Sequence, residues 1–110
     1  MNKRTHQELD RRSLAMHRLI AAKIRARPDL FDIARDNVNR WMALSGEPIP
    51  LYLHEWNAIL RKGIEHALAV ASDASEDAAR LRQSTPFAGV LESRERWEFL
   101  RTWNEKTSSI

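Results

Sequence analysis

The sequence predicts an all-α protein, a compact bundle of four to five helices forming a single domain over residues 1–110. Three observations predict it. Apolar residues recur with a period near 3.6 along most of the chain, the signature of helices that bury one side. Only 3 Gly and 4 Pro are present, and most of them fall at junctions between those periodic stretches. A content of 43% apolar and 30% charged residues is that of a folded domain with a solvated surface, not of a disordered tail. With 110 residues the chain can build one core and no second domain.

The first helix is predicted over Glu8 to Arg27, behind a loose arm at residues 1–7 that carries nothing apolar to hold it. At about 100° per residue, Leu9, Met16, Ile20 and Ile24 share one side, with Ser13 and His17 at its edge. That side is a core face. Opposite it Arg11, Arg18 and Arg25 recur every seventh residue, with Arg4 continuing the row, and Ala15 and Ala22 leave the face open.

Arg27-Pro28-Asp29 ends this helix, because the residue before Pro disfavours the α region while Pro and Asp suit a new first turn. A second helix carries Leu30, Ile33, Ala34, Val38, Trp41 and Leu44 on its apolar side, and it is expected to form an antiparallel hairpin with the first. Ser45 to Pro50, with Gly46 and two prolines, is the loop that stops it. Tyr52 to Ala71 has the longest apolar pattern and reads as one central helix; Gly63 inside it implies close approach of another helix.

Ser72 to Ser75 breaks the chain before a short helix, Glu76 to Gln83. Ser84-Thr85-Pro86 closes that helix. Phe87, Val90 and Leu91 follow in an apolar loop, expected to plug the bottom of the bundle. A last helix, Glu92 to Asn104, is followed by a tail at 105–110 that frays.

Charge is distributed unevenly. Residues 1–27 hold eight basic and two acidic groups, a balance of +6, whereas the remaining 83 hold ten basic and thirteen acidic groups, a balance of −3. The first helix therefore suits an acidic partner: nucleic acid phosphate, an acidic protein surface, or the acidic part of a second copy. Arg11, Arg18 and Arg25, supported by Arg4, Arg12 and Lys23, are the candidate contacts. A helix-turn-helix reader is disfavoured, because the second helix carries Asp29, Asp32 and Asp36, which repel phosphate.

Several classes of chemistry have no footing. The chain has no cysteine, so thiol catalysis and disulfides are excluded. His6, His17, His54 and His66 lack metal-ligand spacing, and no HExxH, GxSxG, Walker or GxGxxG pattern occurs, so no metal or cofactor is expected. No apolar run reaches signal-peptide or membrane-span length, which points to the cytoplasm and away from membranes.

One enzymatic alternative stands. Arg61 and His66 are separated by four residues on the expected central helix. The spacing resembles the short Arg-to-His motif of the HEPN family of helical ribonucleases. That resemblance implies an Arg on the scissile phosphate and a His as general acid or base. Lys62 departs from the motif, and Arg12 to His17 repeats the spacing elsewhere. Of the tryptophans, Trp41, Trp56 and Trp97 lie on apolar stripes and are expected in the core. Trp103, near the chain's end, is the candidate anchor for a dimer or partner.

Taken together, RRSLAMHRLIAAKIRARPDLFDIARDNVNRW, YLHEWNAIL and ARLRQSTPFAGVLESRERWEFLR resemble short bacterial proteins of toxin-antitoxin operons across residues 10–102. The resemblance implies a non-enzymatic antitoxin that masks a co-encoded toxin and binds promoter DNA. It brings no functional residues with it. A structural homodimer without ligand is the remaining alternative.

Overall fold

The computed structural model describes residues 2–108, with side chains described over 6–106. Its elements are α1 (Asn2–Ala26), a 3₁₀ turn (Pro28–Leu30), α2 (Phe31–Ser45), α3 (Leu51–Arg61), α4 (Ile64–Ala71), α5 (Glu76–Arg82) and α6 (Ser93–Ser108). Among the described residues all regular structure is helical, an all-α bundle. Residues 2–7, expected as an arm, continue α1, and the last helix reaches Ser108 where fraying was expected from 105. Residues 109 and 110 of that tail lie outside the described residues.

The junctions follow from local chemistry. Pro28 cannot donate into α1 and opens a 3₁₀ turn instead, with Asp29 in its first turn. Ser75 caps α5: its hydroxyl accepts from the Ala78 N–H at 3.2 Å, while its own N–H donates to Asp73 Oδ2 at 3.1 Å. Glu76 and Asp77 at the start of α5 and Arg80 and Arg82 at its end complement the helix dipole.

The expected helix over Tyr52–Ala71 is two helices, α3 and α4, broken at Lys62 and Gly63. The cause is Gly63, whose φ of +109° lies where residues with a Cβ are strained. Close helix approach is not its role, since a Cβ built there meets no atom within 4 Å.

The expected α1/α2 hairpin is not the main pairing either. α1 packs on α4 and α5, while α2 packs on α3 and α3 on α4. Because α4 turns away from α3 at Gly63, it can present Ala67, Leu68 and Ala71 to α1.

Phe87 sits at the centre of the core. Its ring lies 5.8 Å from Trp56 and 6.2 Å from His17, both edge-on, and 6.5 Å from Phe31. The apolar loop thus fills the middle of the bundle rather than its bottom, with Phe87, Val90 and Leu91 all buried. Trp56 is fully buried and its indole N–H donates to Leu81 O at 3.1 Å, so the largest core side chain leaves no unpaired donor.

Asn37 binds the loop from the other side, donating from Nδ2 to Pro86 O at 2.8 Å and to Ala88 O at 3.0 Å. Arg40 in turn donates to Asn37 Oδ1 at 2.8 Å.

Several stripe residues differ from expectation. Leu9 is 42% exposed, Leu44 77% and Trp97 63%, while Trp41 is half-buried. Each lies beyond the reach of the packed elements: Leu9 on the early turns of α1, Leu44 at the end of α2, and Trp97 on α6. No described residue of α6 is buried. No described helix is long and apolar enough to cross a membrane.

Candidate functional site

On α1 the bundle covers one side of the second half: His17, Ile20, Ala21 and Ile24 are buried there. Arg11, Arg18 and Arg25 remain exposed, Arg12 is half-buried, and the side chain of Arg4 lies outside the described residues.

These cations are not equivalent. Arg25 reaches Glu65 of α4 at 3.4 Å, a long pair between two exposed side chains that adds little to stability. Arg27, just past the helix, pairs with Asp29 at 3.2 Å. Arg18 stands close enough to Asp73 and Arg82 to influence their protonation, so its field is shared with the α4–α5 turn. Among the described residues no ion pair engages Arg11, Arg12 or Arg18.

Lys23 does not belong to the open surface. Its ammonium donates to Val90 O at 2.9 Å and forms an ion pair with Glu95 of α6. Glu95 also accepts from the Glu92 N–H at 2.9 Å, fastening the first turn of α6. The Lys23 hydrogen bond, followed by that backbone bond, holds the Glu95 carboxyl below the usual range. Lys23 therefore joins three segments of the fold: α1, the loop at 90 and the start of α6.

Three buried polar groups escaped the sequence reading as structural devices. His17 Nδ1 lies 2.8 Å from Ser13 O, and Nε2 lies 2.7 Å from Thr85 Oγ1. A carbonyl only accepts, so Nδ1 carries the proton and Nε2 accepts from the Thr85 hydroxyl. Thr85 Oγ1 accepts in its turn from the Phe87 N–H at 3.2 Å. Burial lowers the imidazole pKa, so the ring is held neutral.

Arg82 is the second: it is buried and donates from one nitrogen to Ala71 O at 3.1 Å and Asp73 O at 2.6 Å, closing the end of α4. Its Nε is buried without a partner, and desolvation lowers its pKa. Asn37, described above, is the third. The available signal was a polar residue beside an apolar stripe: Asn37 next to Val38, Arg82 next to Leu81, His17 one turn from Ile20.

Arg61 and His66 are not brought together as a single-helix motif. Gly63 separates them, Arg61 ending α3 and His66 lying in the first turns of α4. They line different cavities. Arg61 borders a groove of about 400 Å³ between α2 and α3, and His66 borders one of about 340 Å³ with Asp73 and Asp77. The HEPN-like spacing loses the continuous helix on which it depended. No group of three or more potential metal-ligating side chains is found among the described residues.

On α6, Trp103 is half-buried and stacks on Phe99, with ring centroids 6.1 Å apart. Trp97 is the more open of the two tryptophans, with the Arg101 guanidinium over its ring at 5.6 Å.

Fold and surface define an all-α bundle with a basic helix on one side and an aromatic helix projecting at its end. No family model, curated protein or solved structure matches the chain.

Proposed function

We propose that this chain is a non-enzymatic binding protein of the antitoxin type, which neutralises a co-encoded toxin in the cytoplasm through an acidic surface on that toxin. Promoter DNA is a second acidic partner for the same helix. The observation that carries the reading is the exposed side of α1. Arg11 and Arg18 are exposed and Arg12 half-buried on a helix that is anchored by its opposite side from His17 onward, and no carboxylate of the described residues forms an ion pair with them. Cations arrayed on a rigid helix are available to phosphate or carboxylate groups at little ordering cost.

Arg61 and His66, the pair behind the enzymatic alternative, stand on different helices and border different grooves, which supports binding over chemistry. The buried imidazole, His17, is committed to Ser13 and Thr85, and the buried guanidinium of Arg82 to Ala71 O and Asp73 O. The test is co-expression with the product of the neighbouring gene. The native chain is expected to restore growth, and replacement of Arg11, Arg18 and Arg25 together by Ala to abolish both the rescue and salt-sensitive promoter binding. Rescue undiminished by the triple replacement refutes the assignment to this face.

A homodimer is the second reading, favoured by Trp97, 63% exposed on a helix with no buried residue among those described. A large exposed aromatic on such a helix suits an interface. Sedimentation of the native chain and of Trp97→Ser separates the two readings, because an antitoxin surface on α1 does not require self-association through α6.

A further inference from the structure

We propose that the groove between α2 and α3 binds a small phosphomonoester carrying a planar polar ring, a ligand of mononucleotide size. The groove is lined by Arg35, Val38, Asn39 and Met42 from α2 and by Asn57, Leu60 and Arg61 from α3. Its volume of about 400 Å³ lies within the range of small-ligand pockets.

The placement of the polar groups is the argument. Each helix supplies one arginine and one asparagine four residues apart, hence one turn apart on the same face. The two helices are joined only by residues 46–50, which makes them antiparallel neighbours. Counted from the turn, Arg35 lies ten residues before Ser45 and Arg61 ten after Leu51, whereas Asn39 and Asn57 each lie six away. The groove is therefore guanidinium opposite guanidinium at one level and carboxamide opposite carboxamide at the next. Val38, Met42 and Leu60 supply the apolar floor.

This order matches one ligand chemistry. A phosphomonoester carries close to two negative charges at neutral pH, and paired guanidiniums offer planar, bidentate donors to it. No carboxylate lines the groove to compete. Arg35 is directed by the Phe31 ring, 4.8 Å beneath its guanidinium, and Phe31 is itself fully buried. Its contact with Asp32 is a 3.4 Å surface pair that a phosphate can displace. Carboxamides one level away donate and accept, as the edge of a heterocycle requires, over a floor on which its face can rest. The groove uses α2 and α3 only, so it stands or falls independently of the partner surface on α1.

The test is calorimetric titration of the full chain with adenosine 5′-monophosphate, adenosine and inorganic phosphate, at low and at high ionic strength. The monophosphate is expected to bind at least roughly tenfold more tightly than either fragment, with affinity falling as salt rises. Arg61→Gln should weaken it by roughly tenfold, the loss of one charge-assisted pair. Asn57→Asp should weaken it by at least as much, because a carboxylate one turn from Arg61 competes with the phosphate for that guanidinium and removes the amide donor from the ring level. Neither side chain holds a core hydrogen bond, so circular dichroism should remain native, and both variants keep the test valid if Arg35→Gln disturbs the Phe31 contact. Equal binding of adenosine and its monophosphate, equal binding of phosphate alone, no binding, or indifference to both variants would overturn the proposal.

Discussion

Within α1 the half from His17 onward and the half before it differ in what surrounds them. In the later half Ile20, Ala21 and Ile24 are buried, His17 is fixed by two hydrogen bonds, and Lys23 fastens α6. In the earlier half Leu9 is exposed, and Arg11 and Arg12 form no ion pair among the described residues. One helix serves as scaffold at one end and as presented surface at the other. The difference teaches that a regular heptad of arginines is not one functional unit, because Arg25 is partly answered by Glu65 whereas Arg11 is not.

Substitutions should split along that line. Ile24→Ala is expected to cost about 2–5 kcal/mol in chemical denaturation, as for other fully buried aliphatic side chains, whereas Leu9→Ala should stay within about 0.5 kcal/mol, as surface changes do. A Leu9 cost approaching that of Ile24 would erase the distinction between the halves.

Arg82→Met is expected to cost about 1–3 kcal/mol, since Ala71 O and Asp73 O lose their donor in a buried setting. The same denaturation experiment reads it.

The third expectation concerns pH. His17 is neutral in the fold and its pKa lies below the free value, near 6.5 for an unfolded imidazole. As pH falls through about 6.5 the unfolded chain takes up a proton that the folded chain refuses, so stability is full above that pH and declines below it. Glu55, held low by Arg80, and Glu95, held low by Lys23, lose stability in the same direction only in the carboxylate range. Melting temperature between pH 7 and 5 should therefore fall in the native chain and stay flatter in His17→Gln. A native profile level over that interval would place the imidazole in water.

A small effect is expected for Lys23→Met, a loss of about 1 kcal/mol or less in global stability, with faster amide exchange confined to the start of α6. Uniform exchange throughout would mean that Lys23 does not link α1 to α6.

Much of this architecture was legible in the chain. The break at Ser72 to Ser75, the Pro28 junction, the 45–50 loop and the buried side of Ile20 and Ile24 are local or periodic features, readable over a few residues. The break at Gly63 was misread because an apolar period continues across it; only the positive φ distinguishes a helix-ending glycine from one at a helix crossing. Trp97 was expected in the core for a related reason: periodicity marks an apolar side but not whether another element covers it.

His17, Asn37 and Arg82 looked like ordinary polar residues because their partners, Thr85, Pro86 and Ala71, are distant or backbone groups. The groove of Arg35, Asn39, Asn57 and Arg61 has a symmetry about the turn that becomes visible once the ends of α2 and α3 are set. The arginine row itself was plain, but not that Lys23 leaves it or that Arg25 has a carboxylate beside it.

The most direct measurement pairs two readouts on one variant, Arg11, Arg12 and Arg18 all replaced by Ala: thermal unfolding, and growth rescue when co-expressed with the neighbouring gene product. The account predicts an unfolding midpoint equal to that of the native chain together with complete loss of rescue. Full rescue at an unchanged midpoint would contradict it.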